Sequence, residues 1–371
     1  MNNKNITFGT YISKLRNDAG LGLREFAKQL GISAPYLSDI EKQKRDAPKE
    51  EIVAAIADKL GADRNLILDL AGKSRKVVAA DISEMLHKSE ETVALLRTIR
   101  DHNPSEDNLK EIRGTLMNIM NKVIIIAAGL GSRMKGYTEK YPKCLLEFGD
   151  RTLLQRQIEA YNDAGISDIS LVRGYKKETI NYEGITYYDN DDYENNNILN
   201  SLFYAEEAIS GPVIISYSDI LFESSVVKRL LESKHDISIV VDIDWRDYYV
   251  GRNDHPIEEA ENVIFDANND VVEIGKIITN KDDVHAEFIG MLRLSSRGAE
   301  IFKQHFHKSK ALYWGKPFQR AVLFQKAYLT DLLQEMVNLG VPIHCVIIAR
   351  GWKEIDTIED YENALTNFND D

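Results

Sequence analysis

A chain of 371 residues with 43% hydrophobic and 28% charged side chains is longer than one small core organises, and predicts at least two domains. A net charge of −13 excludes indiscriminate nucleic-acid binding by the whole molecule, no apolar run is long enough to cross a bilayer, and two cysteines, Cys144 and Cys345, form neither a disulfide framework nor a metal-ligand spacing. The opening MNNKNITFGT lacks the basic-then-apolar layout of a secretory signal, so the expected compartment is the cytoplasm. Charge is spread unevenly. Residues 1–73 hold twelve Lys and Arg against ten Asp and Glu, which confines any DNA contact to that end.

Thr7 to Ala71 reads as a compact all-helical unit. Phe8, Ile12 and Leu15 keep helical spacing, Leu23 to Leu30 forms a second helix that stops at Gly31, and Ser33 can cap a third with Pro35 in its first turn. Ala27, Gly31 and Leu37 stand where a helix-turn-helix needs a small crossing residue, a turn glycine and an apolar anchor. The stretch LREFAKQLGISAPYLSDIEKQKR resembles the helix-turn-helix of phage-repressor-like regulators. That resemblance implies a recognition helix from Ser33 to about Lys42, with Tyr36 and Ser38 toward bases and Lys42 toward phosphate. Asp39, Glu41 and Asp46 thin the electrostatic footprint there, and a purely assembling role for the unit stays open.

Residues 74–120 read as a helical connector. Ile82, Met85, Leu86, Val93, Leu95, Leu96 and Ile99 recur at helical intervals, Asn103-Pro104 interrupts them, and Leu109, Ile112, Leu116 and Met117 resume. Such a stripe needs covering, and a homodimer is the expected means.

From residue 121 to 371 strands and helices alternate. Val123 to Ala128, Ile169 to Val172 and Val213 to Tyr217 read as strands, and Thr152 to Ala164 and Asn200 to Ala208 as helices, which predicts an α/β fold with ligands at the carboxyl ends of the strands. The first strand empties into Gly129-Leu130-Gly131-Ser132-Arg133, and Pro142-Lys143 follows. Glycines there let main-chain N–H groups approach phosphate oxygens, and Arg133 and Lys143 offset phosphate charge. The string is no Walker loop, lacking Gly-Lys-Ser/Thr, and no dinucleotide fingerprint, lacking the third glycine.

This G-x-G-x-R turn with its Pro-Lys pair resembles the signature of nucleotidyltransferases that join a phosphorylated small molecule to a nucleoside monophosphate. The resemblance implies a mostly parallel, Rossmann-like nucleotidyltransferase sheet with helices on both faces, preceded by the all-α helix-turn-helix domain. It assigns Ala128, Gly129, Gly131, Ser132 and Arg133 to the nucleotide, and Lys143 to the α-phosphate. The family also places one aspartate after a central strand and another near the C-terminus. Asp219 and Asp356 occupy those places and would hold Mg²⁺.

Asn197 to Leu202, Tyr217 to Phe222, Glu287 to Met291 and Glu354 to Thr357 are similar to stretches of cytidylyltransferases for phosphocholine and for phosphonates such as 2-aminoethylphosphonate. Asn197 and Ser201 would then lie near the nucleotide or acceptor, and capping a helix is their alternative. The segment RNDHPIEEAE, with Lys276 beyond it, offers Arg252, His255, Glu258 and Lys276 as acceptor contacts. Arg252 and Lys276 suit phosphonate oxygens; Glu258, Asp242, Trp245, Tyr248 or Tyr249 suit an amine. His305 and His307 lack a third ligand, and Trp314 and Trp352 read as core or rim. The expected reaction is Mg²⁺-dependent transfer of CMP from CTP to a small phosphonate or phosphate, with Lys143, Arg133 and Asp219 at the reacting phosphate. The alternative is a transcriptional regulator whose transferase-like domain senses a nucleotide or headgroup.

Overall fold

The computed structural model describes residues 6–77, 82, 89–110, 112, 121–250, 252–279 and 281–367. Met85, Leu86, Leu116 and Met117 of the expected connector stripe lie outside these residues. Two compact units are present, Met1–Asn108 and Leu109–Asp371.

The first unit carries α1 (Phe8–Asp18), α2 (Leu23–Gln29), α3 (Ala34–Glu41), α4 (Glu50–Leu60), α5 (Arg64–Arg75) and α6 (Glu90–His102). Phe8, Ile12, Phe26, Leu37, Ile40, Val53, Ile56 and Ile67 share one core drawn from α1 to α5. Ser33 caps α3 by accepting from the Tyr36 amide at 3.3 Å, with Pro35 in the first turn, as the spacing predicts. In α6 no residue is buried, and Leu95 and Leu96 are 42% and 44% exposed, so its apolar stripe lies on the surface.

In the second unit the strands are β1 (Lys122–Ala127), β2 (Glu147–Phe148), β3 (Arg151–Thr152), β4 (Asp168–Arg173), β5 (Ile185–Asp189), β6 (Val213–Tyr217), β7 (Ile220–Phe222), β8 (Ile237–Asp242), β9 (Asn262–Phe265), β10 (Val271–Gly275), β11 (Ala286–Leu294), β12 (His344–Ile348) and β13 (Trp352–Glu354). Its helices are α7 (Leu153–Asp163), α8 (Ile198–Leu202), α9 (Ser224–Leu231), α10 (Trp245–Tyr248), α11 (Ser296–Tyr313), α12 (Leu329–Asn338) and α13 (Ile358–Asn367). Nine strands form the main sheet in the order β10-β9-β11-β6-β1-β4-β5, with β8 also on β11 and β12 on β8. All of them except β10 and β11 run in one direction. The sheet is mostly parallel and Rossmann-like.

Alternation along β1 explains the two-faced core. Ile124 and Ile126 enter one cluster with residues of α8, α11 and α12, while Val123, Ile125 and Ala127 enter the other with α7 and α9. The helix expected over Asn200 to Ala208 is instead the short α8 followed by a 3₁₀ segment, Phe203–Ala208, because Ala205 leaves helical geometry at φ −100° and ψ 28°.

Candidate active site

β1 delivers the chain to the glycine turn, whose Gly131 has φ +60°. A methyl group at that position would stand 3.1 Å from the Lys143 Cβ and 3.2 Å from the Thr138 Cγ2. A side chain is disfavoured on two counts, by the left-handed backbone and by the neighbours that the turn approaches. Beyond the turn Arg133 lies in the 3₁₀ segment Ser132–Thr138, and Pro142 leads into a second one, Lys143–Leu145, that presents Lys143 inward.

The two acidic residues meet through a small sheet. Asp219 lies in the turn between β6 and β7, and β7 pairs antiparallel with β13, Ile220 opposite Glu354. The Ile355 amide continues that ladder by donating to the Asp219 carbonyl at 2.8 Å, which sets Asp356 beside Asp219. Lys143, only 8% exposed, joins the pair: its Nζ donates to the Asp219 Oδ2 at 2.8 Å and to the Asp356 Oδ1 at 2.6 Å. Arg133 donates to the other Asp356 oxygen and lies 2.9 Å from the Glu259 carboxylate.

Electrostatics follow from this packing. Burial alone would push the Lys143 ammonium toward losing its proton, but Asp219 and Asp356 outweigh it and raise its pKa above the ordinary lysine value. Asp356 is likewise subject to burial, yet Lys143 and Arg133 hold it down at about 2. Glu354 is raised to about 7 by burial and by Asp356. Burial pushes the Cys144 thiol up to about 12, so beside Lys143 it serves as packing and not as a nucleophile. Two carboxylates converging on one cation form an all-oxygen donor pair of the kind a hard divalent ion takes, so the residues present fit such an ion.

Two clefts of about 270 Å³ each share the wall made by Arg133, Asn197, Tyr217, Asp219 and Asp356. The first contains the glycine turn: Ala128, Gly129, Gly131, Ser132, Lys143 and Ser201 line it. Asn197 caps α8, accepting from the Ile198 amide at 2.8 Å, whereas Ser201 lies inside α8, caps no helix and is hydrogen bonded to Asn190 and Asn196; both line the glycine-turn cleft. The second cleft is lined by Lys276, Glu259, Glu261, Glu287, Tyr328, Trp352 and Glu354 among others.

Of the four residues expected at the acceptor, Lys276 alone faces this cleft. Arg252 is buried behind it: its Nε donates to the Asp360 Oδ1 at 2.7 Å, its Nη2 is 2.9 Å from the His255 Nδ1, and its guanidinium lies 4.3 and 4.7 Å from the Tyr248 and Tyr249 rings. His255, 3% exposed, belongs to the same buried group, and Glu258 is exposed and lines neither cleft. The reason is a one-residue phase. Glu258 and Glu259 stand together in the 3₁₀ turn Ile257–Glu259, and the turn aims Glu259 inward. Asp242 is fully buried and taken by Arg350 at 2.9 Å and by the Trp352 indole at 2.8 Å. The sequence named Glu261 only as part of the RNDHPIEEAE segment and Glu287 only as the start of a stretch similar to cytidylyltransferases, neither with a role at the acceptor. The signal for Glu287 was a carboxylate inside the otherwise apolar strand AEFIGM.

Residues 123–335 match the family described as the MobA-like NTP transferase domain, and residues 7–70 match a helix-turn-helix domain. The chain belongs to the MobA-like NTP transferase family. Among the relatives of this transferase is the CTP:phosphoglutamine cytidylyltransferase of Campylobacter jejuni, 29% identical over 255 residues that span 64% of this chain and 97% of that protein. The 2-aminoethylphosphonate cytidylyltransferase of Lancefieldella rimae is 32% identical over 104 residues, 26% of this chain and 42% of that one. The transferase also shares its fold with the solved CTP:phosphocholine cytidylyltransferase of Streptococcus pneumoniae, with a TM-score of 0.51 and 21% identity over 68% of this chain and 100% of the other.

In the first unit Lys42 is exposed and Tyr36 and Ser38 are half-buried on α3. Glu41 is neutralised internally by a two-point bond from Arg16, at 2.7 and 2.9 Å, and Asp39 lies 3.6 Å from Arg45, whose guanidinium also covers the Tyr36 ring at 5.6 Å. Among the described residues no helix is long and apolar enough to cross a membrane.

Proposed function

We propose that the protein transfers CMP from CTP to a small phosphonate or phosphate acceptor and releases pyrophosphate. The observation that carries this is the shared wall: Lys143 bridges Asp219 and Asp356 where the glycine-turn cleft meets a second cleft of acceptor size. The triphosphate occupies the first cleft, with main-chain N–H groups of Gly129 to Ser132 and the Arg133 guanidinium at its β- and γ-phosphates. Lys143 holds the α-phosphate and the attacking acceptor oxygen. That oxygen is already anionic near neutral pH, so alignment and charge neutralisation suffice without a general base. Asp219 and Asp356 would hold Mg²⁺, which when bound supplies neutralising charge at the phosphate oxygens. With such an ion held by Asp219 and Asp356, the Lys143 ammonium that now contacts both carboxylates would be available to phosphate oxygens. Cytidylyltransferase relatives support CTP as the donor.

Asp219→Asn tests the reading. Pyrophosphate release from CTP with a panel of phosphonate and phosphate acceptors should fall about 100-fold or more while the thermal transition is kept. Retained turnover in that variant would remove Asp219 as a metal-holding residue. The sensing alternative leaves the Lys143, Asp219 and Asp356 set without a task; ligand-dependent operator binding with no pyrophosphate release would establish it. For the first unit we propose DNA contact through α3, supported by the helix-turn-helix match and by the internal neutralisation of Glu41.

A further inference from the structure

In the second cleft six carboxylates, Asp219, Glu259, Glu261, Glu287, Glu354 and Asp356, face two lining cations, Arg133 and Lys276. Most of the acids are matched. Asp219 and Asp356 have Lys143; Glu259 has Arg133 at 2.9 Å and Lys276 at 3.7 Å. Glu261 accepts from the Thr330 hydroxyl at 2.9 Å and the Tyr217 hydroxyl at 3.2 Å, and Glu354 lies 3.6 Å from both Arg252 and His255. Glu287 differs. Its Oε1 accepts from the Tyr249 hydroxyl at 2.5 Å, while its Oε2, in a residue only 3% exposed, has no partner among the described residues. It lines the second cleft and not the glycine-turn cleft.

We infer that Glu287 is the specificity residue for the acceptor's far end, and that this end carries an ammonium with N–H donors rather than a quaternary ammonium or an uncharged group. On the transferase reading the reacting phosphate lies at Lys143, so Glu287 meets the opposite end of the acceptor. A buried acceptor oxygen with no donor is costly unless a ligand completes it, and an ammonium supplies both the N–H and the charge. A trimethylammonium supplies no N–H and needs open aromatic faces. The lining rings are already engaged: Tyr328 is approached by Lys276 at 5.2 Å and Arg320 at 5.6 Å, Tyr217 and Phe288 pack edge-on with centroids 6.1 Å apart, and Trp352, buried, packs against Tyr248. Burial also raises the Glu287 carboxyl to about 8, a cost that a bound ammonium relieves.

The full-length protein with CTP and Mg²⁺ is offered 2-aminoethylphosphonate, phosphoethanolamine, O-phosphoserine, phosphocholine and ethylphosphonate, and pyrophosphate is measured. At least one of the first three should exceed phosphocholine and ethylphosphonate by about 10- to 100-fold in kcat/KM, the range of one charged hydrogen bond. Glu287→Gln, which keeps the Tyr249 contact but turns an amide toward the ammonium, should raise KM for that acceptor by a similar factor and leave the KM for CTP unchanged; Glu287→Asp should fall between. Equal use of phosphocholine or ethylphosphonate, or an unmoved acceptor KM in the Gln variant, overturns the assignment and leaves the transferase reading intact. Pyrophosphate from none of the five overturns both. The acceptor comparison needs no variant, so it decides even if Glu287→Gln fails to fold.

Discussion

Lys143 lines the glycine-turn cleft and holds Asp219 and Asp356, which line both clefts, and these neighbours make its charge secure against a burial that would otherwise disfavour it. Gly131 is its backbone counterpart. Because its φ is +60° and an added Cβ would meet the Lys143 and Thr138 side chains at 3.1 and 3.2 Å, Gly131→Ala should cost about 1–2 kcal/mol of stability, read as a lower thermal midpoint. The same change should slow turnover by about 10-fold or more, since a displacement of Lys143 by a fraction of an ångström disturbs the aligned α-phosphate. Loss of stability with unchanged kcat would show that Lys143 tolerates the shift. At this scale the turn residues were legible in the sequence, because phosphate and backbone chemistry favour glycine and arginine at fixed offsets, while both aspartates were indicated only by the family resemblance. Arg252 and His255 were not. A cation and an imidazole in a polar segment look alike whether they face a cleft or a buried partner, and the partner here, Asp360, is distant in the chain.

The β7–β13 pairing and the turn into α13 form the element that closes the site, and Asp360 secures it. Its carboxylate accepts from the Arg252 Nε at 2.7 Å and from the amides of Asp356 and Thr357 at 3.1 and 2.9 Å, so it fixes the backbone of a proposed metal-holding residue. Burial would raise the Asp360 carboxyl, but the His255 and Arg252 contacts outweigh it and hold it well below the usual carboxylate range. A folded pKa below the unfolded value of about 3.9 stabilises at pH values above that value and ceases to do so as pH falls through the folded one. Asp360→Asn should therefore lose about 3 kcal/mol near neutral pH by taking from the buried Arg252 its nearest carboxylate, with Glu354 left at 3.6 Å, and the gap to wild type should narrow below about pH 4. Thermal unfolding across pH 3 to 7 checks it; a gap independent of pH would mean the carboxylate charge is not what matters. Gly290 makes a related point, since its φ of +81° admits the Tyr217 ring against the backbone of β11 and keeps the Tyr217 hydroxyl on Glu261.

At the scale of the molecule, two units with separate cores are joined in one chain, and every lining residue of the two clefts comes from the second. The proposed functions should separate accordingly. Lys42→Glu should weaken retention of DNA from upstream of the coding region and lower the slope of log affinity against log salt by about one, while pyrophosphate release stays as in wild type. An unchanged slope would take Lys42 off the DNA.

Local rules determined much of this protein from its residues alone. The helical unit, the parallel strands and the glycine turn follow from periodicity, capping and phosphate chemistry, which act over a few residues, whereas the pairing of Lys143 with Asp219 and Asp356 joins residues far apart in the chain. The tertiary structure decided what depends on distant segments meeting: that Glu354 and Asp356 reach Asp219 through β7, that Arg252 is taken by Asp360, and that Glu287, lining the second cleft, keeps one buried oxygen without a partner among the described residues. Whether a carboxylate is matched is a property of its three-dimensional neighbours, and spacing along the chain does not encode it.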